Sequence, residues 1–77
     1  MTKRKLRGLA VKAIKDGPVA LHDDQGNMYL GYVMFVREGL KYCVCTVDKD
    51  IADLNGPTPE FMIAEAAAWL ESVGIAA

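Results

Sequence analysis

Two short turn signals, Gln25-Gly26 and Glu38-Gly39, constrain this chain more than any other feature. Between them runs Met28 to Arg37, a stretch rich in β-formers that includes Tyr29, Tyr32, Val33, Phe35 and Val36. Aromatic and β-branched side chains suit a pleated surface. A strand with a tight reversal at each end pairs with an antiparallel neighbour on either side. The flanking runs, Val19 to His22 and Leu40 to Val47, supply those neighbours. The sequence therefore predicts a three-stranded antiparallel meander with strands at about 19–22, 28–37 and 40–47.

Helices bracket the meander. Leu6, Leu9, Ala10, Ala13 and Ile14 recur at helical spacing within a first helix at about 3–15, and Asp16-Gly17-Pro18 stops it. Asp48 to Pro57 reads as a polar loop. Thr58 then caps a second helix at about 59–73, with Pro59 at its first position and Gly74 just past its end. Met62, Ala66, Trp69, Leu70 and Val73 share one face, with Trp69 expected to be the largest anchor of the core. The expected fold is a small α+β domain spanning residues 1–77, ordered helix, three-stranded meander, helix (αβββα).

With 77 residues, such a domain buries little surface and gains stability from a staple or a partner. Cys43 and Cys45 are too few for a disulfide framework, and neighbours two apart on one strand face are poorly placed to bridge each other. Reduced thiols fit a cytoplasmic protein. No apolar run approaches the ~20 residues of a membrane span. The basic N-terminus lacks the apolar stretch of a signal peptide, because Lys12 and Lys15 interrupt it.

Register decides which side chains meet the helices. Turns centred on Gln25-Gly26 and Glu38-Gly39 put Val19, Leu21, Leu30, Tyr32, Met34, Val36, Cys43, Cys45 and Val47 on one face, expected beneath the helices. The same turns put Ala20, His22, Tyr29, Gly31, Val33, Phe35, Tyr42, Val44 and Thr46 on the other. They pair Phe35 with Tyr42 and bring His22 to Tyr29. A solvated sheet face alternates apolar with polar residues, and this second face does not. His22, Tyr29, Phe35, Tyr42 and Thr46 are accordingly the expected partner-binding residues, unless the first helix covers them.

Chemistry-bearing motifs are sparse. Cys43-Val44-Cys45 could attract a soft metal, but the single histidine, His22, is expected on the opposite face, so no metal is expected. The stretch from Asp48 lacks the ligand spacing of a calcium loop, with Ala52 in the fifth position and Pro59 in the twelfth. His22 and Asp23 alternate across a strand and make no dyad, and neither a phosphate loop nor a dinucleotide fingerprint is present. No catalytic residue, cofactor or small-molecule substrate is expected.

Charge is divided unevenly. Residues 1–16 carry +5 and the remainder −6, for a net −1. Arg4, Lys5, Lys12 and Lys15 are the candidate contacts to phosphate or to an acidic surface.

The order αβββα resembles that of double-stranded RNA-binding domains, which grip phosphates with lysines at the start of the last helix. The corresponding stretch here, Thr58-Pro59-Glu60-Phe61-Met62, holds an acid and no lysine. A sheet followed by an alanine-rich helix is also similar to the arm-binding domains of phage integrases, which read DNA with basic strand residues. These strands offer Arg37 and Lys41 alone. Neither nucleic-acid function is carried over. The expected function is a non-enzymatic binding protein of regulatory or inhibitory type, such as a phage or mobile-element accessory protein, whose partner is another protein or its own copy as a homodimer. A nucleic-acid module using the basic first helix and the sheet aromatics is the alternative.

Overall fold

A computed structural model of the chain describes residues 3–76; Met1, Thr2 and Ala77, assigned above to the same domain, lie outside the described residues. Helix α1 (Lys3–Asp16) is followed by four strands, β1 (Val19–Asp23), β2 (Met28–Val36), β3 (Gly39–Cys45) and β4 (Asp50–Gly56). Helix α2 (Pro59–Val73) and a short β5 (Ile75–Ala76) complete the chain. The strands form one antiparallel sheet in the order β4-β3-β2-β1-β5, with β2 at its centre. The α+β class and the two helices agree with expectation. The order αβββα does not, because the described fold has two further strands.

The first of these, β4, replaces the expected polar loop. Aspartates and an asparagine disfavour strands in isolation. Here Thr46 builds a turn: its backbone N–H donates to the Lys49 carbonyl at 2.9 Å, and its hydroxyl oxygen accepts from the Asp48 and Lys49 N–H groups at 3.3 Å. The chain thus returns along the open edge of β3, from Leu40 against Gly56 to Cys45 against Asp50, with a bulge between Val44 and Cys45. Tertiary pairing overrides the propensity. The second addition, β5, follows the left-handed cap at Gly74 (φ 72) and lays Ile75 against Asp23 of β1.

Both hairpins are shifted from the expected register. Asp23 and Asn27 close a three-residue loop, with Gly26 at φ 83, so Leu21 pairs with Tyr29 and His22 with Met28. A type I turn followed by a left-handed glycine has this length, and it moves each partner by one residue. One residue is enough to exchange faces, so Val19 and Leu21 share a side with Tyr29, Gly31 and Val33. The second turn is Arg37-Glu38 rather than Glu38-Gly39, which pairs Val33 with Tyr42 and Phe35 with Leu40. That shift is of two residues and preserves the faces.

Both helices pack on the face that holds Leu21, Leu40, Tyr42 and Val44, and the core also takes in Leu6, Ala10, Met62, Ala66, Leu70 and Ile75. The expectation that Cys43 and its neighbours would lie beneath the helices is therefore corrected. Trp69 is only partly buried at the edge of this core, and Tyr42, 0% exposed, is its largest fully enclosed side chain. The Tyr42 ring reaches across β2 at Gly31, where an added Cβ would collide with the Tyr42 hydroxyl and lie 2.9 Å from Leu21 Cδ1. Gly56 allows a comparable approach between β4 and the first turn of α2, since a Cβ there would fall 2.6 Å from the Met62 nitrogen.

Gly31→Ala should therefore destabilise the domain by about 1–3 kcal/mol through overpacking. The Tyr42 hydroxyl has no hydrogen-bond partner among the described residues, and burial pushes its pKa up to about 12. Removing a buried, unpaired hydroxyl is close to neutral or stabilising. Tyr42→Phe should leave thermal unfolding unchanged or improved, and Tyr42→Phe combined with Gly31→Ala should recover part of the loss.

Candidate functional site: the open sheet face

With both helices on one side, the other side of the sheet has no covering element among the described residues. Alternate residues of central strand β2 point there: Met28, Leu30, Tyr32, Met34 and Val36. Four of these are substantially exposed, at 63% for Met28, 40% for Leu30, 43% for Met34 and 36% for Val36. Ala20 and His22 of β1 flank the stripe on one side, and Cys43 and Cys45 of β3 flank it on the other. Met28, Leu30, Cys45, Thr46 and the fully exposed Val47 border a shallow apolar groove of about 320 Å³ at one end.

Polar groups sit at the β3–β4 margin of this face. Lys41 meets Asp53 across β3 and β4 at 3.5 Å, and Asp50 opposes Cys45. Tyr32 stands beside Cys43 in register, and the Cys43 sulfur is the main reason its hydroxyl is held above the ordinary tyrosine range, with Asp50 contributing. Burial raises the Cys43 thiol, and the Tyr32 hydroxyl works against that rise. Cys43 and Cys45 are free thiols. No group of three or more histidine, cysteine or acidic side chains suited to a metal occurs among the described residues.

The expected partner-binding residues are not gathered on this face. Tyr42 is enclosed in the core, and Tyr29 is half-buried on the helix side. Phe35 also belongs to the helix side but projects past the core, 85% exposed. Its expected cross-strand partner, Tyr42, faces Val33 instead. Thr46 serves the β3–β4 turn. His22 is exposed on the open face, separated from Tyr29 by the shift in register. Arg4, Lys5, Lys12 and Lys15 are exposed on α1, in the helix layer on the far side of the sheet. The apolar residues Met28, Leu30, Met34 and Val36 were missed as surface groups because their alternation looked like a buried face. The signal that could have exposed them is Asp23-Asp24-Gln25-Gly26-Asn27, whose length admits a three-residue loop.

Comparison of the chain with known protein families, with curated proteins and with solved structures found no match. No helix among the described residues is long and apolar enough to cross a membrane.

The first hairpin, which sets the alignment of β1 on this face, is held by one carboxylate. Asp23 accepts from the Gln25 and Asn27 backbone N–H groups at 2.9 Å, from the Asn27 amide at 3.0 Å and from the Tyr29 hydroxyl at 2.9 Å. These donors, the Asn27 amide foremost, lower its pKa from 3.8 to about 2. A carboxylate with a depressed folded-state pKa contributes stability above its unfolded pKa and loses it as pH falls through the folded one. The parent should therefore lose stability between about pH 4 and pH 2, and Asp23→Asn should show a flatter profile there. Urea midpoints measured across that range test this.

Proposed function

We propose that this protein is a small non-enzymatic binding protein, regulatory or inhibitory in type, that works through the open face of its sheet. One observation carries the reading: four large apolar side chains at alternating positions of the central strand stand 36–63% exposed. Single exposed apolar residues are ordinary on protein surfaces. A contiguous stripe of them marks an interaction site. Free Cys43 and Cys45 suit a reducing compartment, and we take the cytoplasm as the setting.

The nucleic-acid alternative draws support from the exposed cations Arg4, Lys5, Lys12 and Lys15 of α1. Of its expected stacking groups Tyr29, Phe35 and Tyr42, Tyr42 is enclosed and Tyr29 is half-buried, which leaves Phe35 as the one exposed ring of the three on which a base would stack. The open face is the stronger candidate.

A pull-down from lysate, run with and without nuclease treatment, tests the two readings. Leu30→Asp with Met34→Asp should abolish capture of partners, while Lys12→Glu with Lys15→Glu should leave capture intact. The reverse pattern, together with loss of binding on nuclease treatment or at raised salt, would replace the sheet face by the basic helix. All four side chains are exposed, so both variants should melt close to the parent.

A further inference from the structure

We propose that Cys43 and Cys45 form a binding site for a soft monovalent metal ion, copper(I), held in line between their two sulfurs on the open face of the sheet. The site stands whether or not this face also docks a protein.

The two thiols lie on one face. Strand β3 pairs with β2 without interruption from Gly39 to Cys45, so Cys43 and Cys45 point the same way, level with Tyr32 and Leu30. The bulge near Val44 falls on the β4 side, where Val44 opposes Ala52 and Cys45 opposes Asp50, and it leaves this pairing intact. Both sulfurs act on one neighbour. The Tyr32 hydroxyl is held above the ordinary tyrosine range by Cys43 first and by burial next, with Cys45 and Asp50 adding to the effect. Cys43 is buried, whereas Cys45 is partly exposed and lines the apolar groove with Met28, Leu30, Thr46 and Val47. An ion arriving through the groove meets Cys45 first.

The spacing that forbids a disulfide suits a bridging ion. Residues two apart on a strand have their Cβ atoms about 6.7 Å apart. A disulfide needs them about 3.8 Å apart. Staggered rotamers that swing both Cβ–Sγ bonds toward each other bring the sulfurs to about 4–4.5 Å. An ion bonded in line to two thiolates at about 2.2 Å sets them about 4.4 Å apart.

The donor set selects the ion. Thiolates favour copper(I), which two ligands in line satisfy. Zinc needs about four, and among the described residues no third histidine, cysteine or acidic group completes a metal set with these two. Calcium and magnesium take oxygen ligands. The apolar groove around Cys45 suits an ion that carries no bound water. A setting that keeps both thiols free also keeps copper in its reduced state. Binding releases the two thiol protons to solvent, so the ion and its thiolates together carry a single negative charge. Burial raises the Cys43 thiol and Asp53 adds to the rise, while the Tyr32 hydroxyl and the Lys41 ammonium oppose it. Lys41, two residues before Cys43 on the same face, supplies the offsetting charge while also meeting Asp53 at 3.5 Å.

Anaerobic titration with copper(I) against a competing copper(I) chelator tests the proposal, with circular dichroism confirming that each variant is folded. The parent should hold one ion per chain, and X-ray absorption should find two sulfur neighbours around it. Cys45→Ala, at the partly exposed position, should weaken binding by roughly hundredfold or more, and Cys43→Ala should do the same. Met34→Leu removes a sulfur from the same face but not from the site, so it should bind as the parent does. Zinc(II) should show no uptake at concentrations that saturate the protein with copper(I). A parent that yields copper(I) to the chelator as readily as the double variant Cys43→Ala with Cys45→Ala would overturn the site. One ion per two chains, or a single variant that binds as tightly as the parent, would overturn the pairing of the two thiols within one chain. A third ligand in the absorption spectrum, or zinc(II) held as tightly as copper(I), would overturn the two-thiolate geometry.

Discussion

The Tyr42 phenol laid across Gly31 is the contact on which the two-layer arrangement depends. A side chain of that size can be enclosed in a 77-residue domain only where a neighbouring strand supplies no side chain of its own. Gly31 supplies that space, and Leu21 closes it from β1. The ring therefore spans three strands and presents Val44, Leu40 and Leu21 around it as a floor for α1 and α2. Both helices contribute alanines to the core, Ala10 and Ala13 from one and Ala66 and Ala67 from the other. Small side chains let the helices come close to each other and to the sheet. The ring supplies volume that alanines cannot.

Concentrating the core on one side has a consequence for the other. Two helices of 14 and 15 residues cover one face of a five-stranded sheet and leave none for the second. Were the second face polar, the arrangement would be complete, as in many half-solvated antiparallel sheets. Its central strand is instead lined with methionines, a leucine, a valine and a tyrosine. Met28 and Met34 are flexible side chains that adapt to an opposing surface. The acidic residues and Lys41 keep to the β3–β4 margin. That distribution, apolar at the centre and polar at the rim, is what supports the docking role proposed for this face.

Local signals placed both helices within a residue or so. The stop at Gly17, the Thr58 cap and the left-handed Gly74 act through their own backbone and nearest neighbours, so they can be read from a short window. The three expected strands were legible for the same reason, as runs of β-formers between turn residues. β4 was not, because Asp50, Asp53 and Asn55 favour a strand only once β3 offers an unpaired edge. β5 is two residues long and exists through its pairing with β1. The importance given to Trp69 came from size alone, whereas burial depends on where a helix face lands. Trp69 sits at the edge of the core and Tyr42 at its middle.

What the sequence by itself determined is therefore the inventory: two helices with their caps, a long central strand between two turns, and sheet strands apolar on both faces. Only the tertiary structure decided which face is inside. That choice turned on whether the first hairpin loop holds two residues or three, a difference of one peptide that reverses the partnership of β1 with β2. Side chains alternate with a period of two, so a shift of one exchanges the faces completely while leaving every local propensity satisfied. Asp23 and Gly26 select the longer loop, and Gly31 makes the resulting face the one that can accept Tyr42. Such selection depends on contacts between residues far apart in the chain, which no local pattern records.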